Sequence, residues 1–231
     1  MRTLWLICTM CLMHVVVGQK TYVGVKAGGH ASSAFIEHTI FNINMNTTFL
    51  PGANGGVFIR YLPKEGDSFL NSGIQLGVNY VQKGWKQVFL PIENQPSYTA
   101  RMTYVEIPLE GIGYFGGKNK YFLSAGLHLE FLIDDDLDLQ PTSTNLISDF
   151  YTYDEARDRE VGYGARLAGG MFRDFSFGTL QLEGFFSYSF SNFIDAGDLT
   201  TETPDISNHW MLGCTIGYMI SFGKNAKDEM E

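Results

Sequence analysis

Polar and apolar residues alternate along most of this chain with a period of two residues. The pattern is clearest in residues 73–83, 121–133 and 209–223. A helix would instead repeat its apolar positions about every 3.6 residues. Alternation sustained over such long stretches predicts half-buried β-strands that are longer than the usual 5 to 6 residues.

Weaker alternation adds five segments to these three, so that eight strands are predicted. The weaker segments are residues 21–29, 55–62, 102–115, 161–172 and 179–193. Short connections at 63–72, 116–120 and 173–178 alternate strictly with long ones at 36–54, 87–101, 134–160 and 195–208. This layout is typical of outer membrane barrels. We therefore expect an all-β fold: an eight-stranded antiparallel up-and-down transmembrane β-barrel with short periplasmic turns and long extracellular loops.

The first 18 residues have the pattern of a secretory signal peptide. Arg2 precedes an apolar-dominated run over residues 4–17, and Gly18 supplies a small residue at the exit. The run is shorter than the roughly 20 residues that a membrane-spanning helix needs. We expect cleavage after Gly18 and export of the remaining chain.

Export would leave a barrel domain over residues 19–224 and a polar tail at 225–231. Cys8 and Cys11 would be removed with the signal peptide. Cys214 would then be the single cysteine, which excludes an internal disulfide, and we expect it to face lipid as a small apolar residue.

If the apolar positions face outward, a polar set lines the interior of the barrel. This inward set is Tyr22, Lys26, Phe58, Arg60, Gln75, Asn79, Lys83, Tyr104, Glu106, Glu110, His128, Glu130, Arg166, Gln181 and Glu183. It contains a lumen charge network of four cations (Lys26, Arg60, Lys83, Arg166) and four carboxylates (Glu106, Glu110, Glu130, Glu183). Eight strands enclose only enough space for side chains. Because unpaired buried charges are costly, the balanced set favours a plug over a conducting pore.

Glycine and aromatic residues are abundant, with 26 Gly, 18 Phe, 12 Tyr and 3 Trp. Inward-facing glycines relieve crowding in a narrow barrel. Aromatic residues near the strand ends are expected in the two interfacial girdles. The candidates are Tyr61, Trp85, Tyr114, Phe115, Tyr121, Phe172, Phe193, Trp210 and Phe222.

The negative charge of the chain is concentrated in two of the long connections. Residues 134–160 and 195–208 contain thirteen carboxylates and two arginines, whereas the whole chain has a net charge of −9. An acidic chain of this kind predicts no nucleic-acid partner. Asp134, Asp136 and Asp138 alternate and are weak candidates for a Ca²⁺ site. The Gly and terminal Glu of an EF-hand loop are missing, so a solvated acidic loop is the favoured interpretation.

Catalytic motifs are absent from the sequence after the signal peptide. His30, His38 and His209 are placed near the long-loop rim, but no Ser/His/Asp pattern, P-loop, Rossmann fingerprint or zinc-ligand spacing accompanies them. We expect no cofactor and no enzymatic activity. Two alternatives stay open: a secreted lipocalin-like barrel that binds a small apolar ligand, and an outer membrane enzyme that uses the rim histidines.

Four stretches have a recognisable sequence: residues 22–28, 73–84, 104–109 and 217–222, of which Tyr-Val-Glu-Ile-Pro-Leu at 104–109 is the most specific. Together they resemble the PorT-type outer membrane β-barrel proteins of Bacteroidota. The resemblance implies an eight-stranded barrel that the barrel assembly machinery inserts. Some members of this family are linked to protein secretion, and its pattern supplies no catalytic residues.

Together these patterns predict a non-enzymatic integral outer membrane protein with a lumen plugged by side chains. Its expected partners are outer membrane lipid, the barrel assembly machinery during insertion, and an envelope or secretion protein that meets the acidic extracellular loops.

Overall fold

The computed structural model describes residues 20–39, 43–63, 69–87, 98–139, 159–195 and 204–222. The predicted signal peptide and the polar tail lie outside the described residues. The strands are β1 (Lys20–His38), β2 (Ile43–Asn44), β3 (Thr47–Thr48), β4 (Leu50–Leu62), β5 (Asn71–Gln87), β6 (Tyr98–Gly116), β7 (Asn119–Leu139), β8 (Val161–Phe175), β9 (Gly178–Ser189) and β10 (Ile206–Phe222). In these ranges, no helix is long and apolar enough to cross a membrane.

The eight long strands form a closed antiparallel ring. Each pairs with its neighbours in chain order, and β1 pairs with both β4 and β10, which closes the sheet. The two-residue strands β2 and β3 pair with the long-loop ends of β1 and β5. The predicted eight-stranded up-and-down barrel is confirmed. Closure leaves no long strand with an unpaired edge.

Most strands extend beyond their predicted ends on the long-loop side. β7 has 21 residues and continues to Leu139, so Asp134, Asp136 and Asp138 lie on a strand rather than in the loop predicted at 134–160. The predicted connection at 36–54 likewise contains the end of β1 and the start of β4. Backbone pairing continues there after the polar–apolar alternation has faded. Two strands differ: β8 begins at Val161, as predicted, and β9 ends at Ser189 instead of residue 193.

Two of the short connections are tight turns of two residues each, at 117–118 and 176–177. Gly116 and Gly178 border these turns with φ angles of 111° and 141°. Residues with a side chain rarely adopt such angles, so glycine is the residue that suits both positions.

The two faces of the strands differ as the alternation predicts. Large apolar side chains such as Leu127 and Ile216 point outward and are 65% and 68% exposed. Cys214 is also exposed. The complementary positions point into the lumen and are buried. The apolar residues therefore cover the outside of the barrel, which is the reverse of a soluble ligand-binding barrel.

The aromatic residues at the strand ends divide between the two faces. Tyr61, Phe115, Tyr121, Trp210 and Phe222 share the outward face, as expected for girdles. The prediction is wrong for Trp85, Tyr114, Phe172 and Phe193, which are buried inside. The first three follow the same inward parity as the lumen charges of their strands. Phe193 lies after β9, where the connecting segment folds inward.

Candidate functional site: the charged lumen

All fifteen side chains of the predicted inward set are buried, with no more than 5% of any of them exposed. Each charged residue comes from a strand position that points into the barrel. The structure groups these charges into two clusters. The lower network contains Lys26, Arg60, Arg166, Glu110 and Glu183. The upper network contains Lys83, Glu106 and Glu130, with His128 beside them.

Glu183 is the first of two carboxylates in the lower network. Its Oε1 atom lies 3.3 Å from Lys26 Nζ and 2.7 Å from Arg166 Nη2. The hydroxyl of Thr215 lies 3.5 Å from the same oxygen, and Gln181 donates to Oε2 at 3.0 Å. Two cations and two neutral donors thus surround one buried carboxylate.

Glu110 is the second carboxylate of the lower network. Arg166 Nε lies 3.4 Å from its Oε1, and the Gln75 amide donates to its Oε2 at 2.7 Å. Gln75 in turn accepts two hydrogen bonds from Arg60. The lower network therefore joins Lys26, Arg60 and Arg166 to only two carboxylates.

The upper network is built around Lys83. Its Nζ lies 2.7 Å from Glu106 Oε1 and 2.5 Å from Glu130 Oε2. His128 Nε2 lies 3.3 Å from the same Glu130 oxygen and 3.7 Å from Glu106 Oε1. Ser189 contacts both Lys83 and Glu130, at 3.2 and 3.0 Å. Here two carboxylates share one lysine and one histidine.

The structure therefore brings together all eight predicted charges, but as two groups with opposite imbalances. The lower network has one more cation than carboxylates, and the upper network has one more carboxylate than lysines. Among the described residues no ion pair connects the two groups. Their charges cancel only when the whole lumen is considered.

Apolar side chains lie at both ends of the lumen and between the networks. A long-loop cluster contains Ala34, Ile36, Trp85, Tyr98, Ala100, Met102, Tyr104, Phe193 and Ile194. A short-turn cluster contains Tyr22, Phe58, Leu62, Ile112, Tyr114, Phe122, Phe172 and Met219. A central cluster contains Val81, Ala168, Phe185 and Met211. Charge and hydrocarbon thus alternate along the barrel.

Cation–π contacts attach these clusters to the networks. The guanidinium of Arg60 lies 5.5, 5.0 and 5.3 Å from the ring centroids of Phe58, Phe122 and Phe172. Arg166 lies 3.9 Å from the ring of Phe185, and Lys83 lies 5.2 Å from that of Tyr104. Aromatic faces attract buried cations, so the apolar clusters also contribute to stabilising the charges.

The predicted rim histidines do not form a hydrolytic pair. Both ring nitrogens of His30 form hydrogen bonds: Nε2 with the backbone carbonyl of Gln82 at 2.6 Å, and Nδ1 with the side-chain amide of Asn54 at 2.9 Å. His209 is stacked on Phe193 with ring centroids 4.4 Å apart, and neither of its nitrogens has a hydrogen-bond partner among the described residues. His38 is also buried. Buried rings of this kind are poorly placed to act on a substrate in solution.

The long-loop rim has a separate polar contact between two chain segments. Asp205 Oδ1 accepts a hydrogen bond from the Thr39 amide at 2.7 Å, and Oδ2 accepts one from the Thr39 hydroxyl. These bonds, first that of the hydroxyl and then that of the amide, lower the pKa of Asp205 below its ordinary value of 3.8. The contact links the end of β1 to the start of β10.

The weak metal candidates of β7 are exposed on the strand and do not converge. In the described part of the chain, the one group of metal-ligating side chains close enough to share an ion is Glu106, His128 and Glu130, whose ligand atoms lie within 4.8 Å of one another. The sequence analysis placed these three side chains on the inward face but did not identify His128 as a candidate metal ligand. The i, i+2 spacing of His128 and Glu130 puts both on one face of β7 and could have indicated the pair. The proximity of Glu106 could not be predicted without the register of β6 against β7.

Comparison with known proteins identifies the fold family. The profile described as "Outer membrane protein beta-barrel domain" matches residues 18–195. No curated protein has a significantly similar sequence.

Similar solved structures, all at low sequence identity, include the following three. Neisserial surface protein A is 14% identical with a TM-score of 0.41, and the match covers 86% of this chain and 96% of that one. Ail, the attachment invasion locus protein of Yersinia pestis, is 9% identical with a TM-score of 0.35, covering 87% and 99%. An outer membrane channel from Pseudomonas putida F1 is 11% identical with a TM-score of 0.26, covering 89% and 96%.

The family profile covers well over half of the sequence, from the start of β1 to beyond the end of β9. The chain therefore belongs to the outer membrane protein β-barrel domain family, and it is a barrel of the outer membrane.

Proposed function

We propose that this protein is a non-enzymatic integral outer membrane barrel whose lumen is plugged by its own side chains. The observation that carries the proposal is the filling of the lumen along its length. Two charged networks are held between apolar clusters at the short-turn and long-loop ends. A hydrated ion that entered this lumen would have to separate buried ion pairs, which costs several kcal/mol for each unpaired charge.

The long-loop end supports the same interpretation. Phe193 lies in the segment after β9 and packs against Trp85, with ring centroids 5.0 Å apart, and against His209. The backbone of this segment is fixed by hydrogen bonds from Phe193 N to the Ser207 carbonyl at 3.0 Å and from Ile194 N to the Ser207 hydroxyl at 2.9 Å. Among the described residues, this segment places the ring of Phe193 in the mouth of the barrel, against Trp85 and His209.

We also propose that the protein is a PorT-type barrel, exported with a cleaved signal peptide and inserted by the barrel assembly machinery. The stretch at residues 104–109 supports a PorT-type barrel of Bacteroidota. The apolar run at residues 4–17 supports export by a cleaved signal peptide, and the aromatic final strand β10 supports insertion by the barrel assembly machinery.

We also propose that the acidic long-loop side contacts an envelope or secretion protein. Asp134, Asp136 and Asp138 are exposed at the long-loop end of β7, and the acidic stretch that follows lies outside the described residues. A cationic surface is the complementary partner. Affinity capture from native envelopes, with the carboxylates of segment 134–160 either kept or changed to their amides, tests this. Equal recovery of the same partners in both samples would argue against contact through the acidic residues.

Planar-bilayer recording of the folded, purified protein tests the plug. We expect no steady conductance under conditions in which a general porin inserted into the same bilayer conducts. A large and steady conductance from the folded protein would overturn the plugged lumen. An activity on lipid or peptide substrates that His209→Ala removes would overturn the non-enzymatic assignment.

A further inference from the structure

The upper network contains a ligand set of a kind that binds divalent metal ions. Glu106 and Glu130 offer carboxylate oxygens and His128 offers Nε2, with these atoms within 4.8 Å of one another. Two carboxylates and one imidazole are ordinary ligands of Zn²⁺ and related metals. All three side chains are at least nine-tenths buried.

A cation already occupies this ligand set. The Lys83 ammonium lies 2.7 Å from Glu106 Oε1 and 2.5 Å from Glu130 Oε2. Ser189 Oγ, which contacts Lys83 at 3.2 Å, completes its surroundings. The ammonium thus takes the place that a bound ion would take, between the two carboxylates.

The charge of the network shows why a cation is needed there. Without Lys83, two buried carboxylates would face each other with His128 and the Ser189 hydroxyl beside them but no lysine. Such a pair is strongly destabilising unless a positive charge compensates it. A divalent ion would supply that charge. In tetrahedral coordination, metal–ligand bonds of about 2.0–2.2 Å place ligand atoms about 3.4 Å apart. His128 Nε2 already lies 3.3 Å from Glu130 Oε2 and 3.7 Å from Glu106 Oε1. The ligand atoms, all within 4.8 Å of one another, would need to close by no more than about 1.4 Å.

We propose that Glu106, His128 and Glu130 form a latent metal site that Lys83 keeps filled with its own ammonium group. The native chain excludes a free metal ion from this position. Replacing Lys83 by an uncharged residue removes the ammonium and opens the site to a divalent transition metal such as Zn²⁺ or Co²⁺. The Ser189 hydroxyl or water would be the remaining ligand. This inference concerns the interior of the barrel and does not depend on the partner proposed for the long loops.

The test uses Lys83→Met, which keeps the size of the side chain and removes its charge. The full-length barrel is refolded in detergent micelles with and without Zn²⁺, so that access through the closed lumen is not required. We expect a lower urea midpoint of unfolding for Lys83→Met without metal and a clear rise of that midpoint with Zn²⁺. Co²⁺ should bind to this variant with one ion per barrel and a visible d–d absorption band. The wild-type protein should show neither effect.

Two controls separate this site from general effects of the metal. His128→Gln in the Lys83→Met background removes one ligand and should abolish Co²⁺ absorption and stabilisation by Zn²⁺. Lys26→Met removes another buried lysine, but Arg166 stays 2.7 Å from Glu183, and no histidine of the described residues forms an ion pair with Glu183. Zn²⁺ should not restore the stability of this variant.

The outcomes are decisive in each direction. A folded Lys83→Met barrel that binds no metal overturns the proposal, as does equal stabilisation of Lys26→Met by Zn²⁺. If Lys83→Met does not fold without metal, folding that appears only with Zn²⁺ supports the site. If neither Lys83→Met nor Lys83→Gln folds in the presence of Zn²⁺, the metal cannot replace the ammonium and the proposal fails.

Discussion

Arg60 donates two hydrogen bonds, from Nε and Nη2, to the side-chain oxygen of Gln75 at 2.9 and 2.7 Å. The two residues are directly opposed on β4 and β5. The other end of the Gln75 amide donates to Glu110 at 2.7 Å. Among the described residues, no carboxylate lies within ion-pair distance of Arg60, so a neutral amide connects the buried guanidinium to its nearest bonded anion.

Gln75→Leu should destabilise the barrel by about 2–4 kcal/mol. The substitution removes the acceptor of two Arg60 hydrogen bonds and a donor to Glu110. Hydrogen bonds to charged groups contribute about 1.5–3 kcal/mol each, but these three share one amide, so their contributions do not add in full. The free energy of unfolding in urea, measured in detergent micelles, checks the prediction. Gln82→Leu is the matched control, because Gln82 is partly exposed at the long-loop side, and its cost should stay below about 1 kcal/mol. Equal losses for the two variants would show that the Gln75 amide does not connect the charges.

Leu127→Arg should destabilise the inserted barrel by about 2–4 kcal/mol. Leu127 points outward from the middle of the apolar stretch of β7 and is 65% exposed. An arginine at the bilayer midplane has this cost, whereas one near the interface costs about 0–1 kcal/mol. Reversible unfolding from lipid vesicles measures the difference.

Tyr121→Arg on the same strand is the control for Leu127→Arg. Tyr121 is outward and 47% exposed, but it lies near the short-turn end of β7. Its substitution should cost about 1 kcal/mol or less. If Leu127→Arg is as mild as Tyr121→Arg, the middle of β7 does not face hydrocarbon.

Gly126→Ala should reduce stability by about 1–3 kcal/mol, the usual effect of overpacking. A Cβ atom at Gly126 would lie 2.0 Å from the backbone oxygen of Leu109, so the neighbouring strand would have to shift. At the outward-facing Gly184, the nearest atom would be 3.9 Å away, which is an ordinary contact. Gly184→Ala should therefore be tolerated, and urea unfolding of the two variants compares them. A larger loss for Gly184→Ala would contradict the packing argument.

The contact between Asp205 and Thr39 should weaken in acid. Because folding lowers the pKa of Asp205 below 3.8, the contact is fully stabilising above that pH and is lost as pH falls through the lower folded value. The amide resonance of Thr39, followed by NMR during acid titration, should report a midpoint below 3.8. Thr39→Val removes the hydroxyl donor and should move the Asp205 midpoint upward. A wild-type midpoint at or above 3.8 would contradict the hydrogen bonding described here.

Much of the lumen could be predicted because a strand directs successive side chains to opposite faces. Lys83 and Trp85 share one parity on β5, as do Glu110 and Tyr114 on β6. The same rule that placed the charges inside should have placed Trp85 and Tyr114 inside as well. Their location near the strand ends favoured a place in an interfacial girdle. Where a strand is regular, however, the alternation of its side chains decides which face a residue occupies, whatever its distance from the strand end.

Parity has limits where the strands are irregular or the chain leaves the sheet. The register shifts between Thr103 and Tyr104, and both Leu132 and Leu137 of the facing strand β7 pack against the long-loop cluster despite their opposite parity. Phe193 keeps the inward parity of Glu183 but lies beyond β9, and it enters the same cluster from a loop. Parity does not indicate that the strand ends at Ser189 or that the segment after it is held against Ser207.

The sequence by itself determined the number of strands, the alternation of short and long connections, and which charged residues lie inside. These properties follow from the pleat of each strand, which is local. Only the tertiary structure decided which charges meet. Lys26 and Glu183 are 157 positions apart in the chain and 3.3 Å apart in space, and Lys83 contacts two carboxylates from two other strands. Such contacts depend on strand register, closure of the sheet and side-chain reach across the lumen, all of which are set by the whole barrel rather than by any one segment.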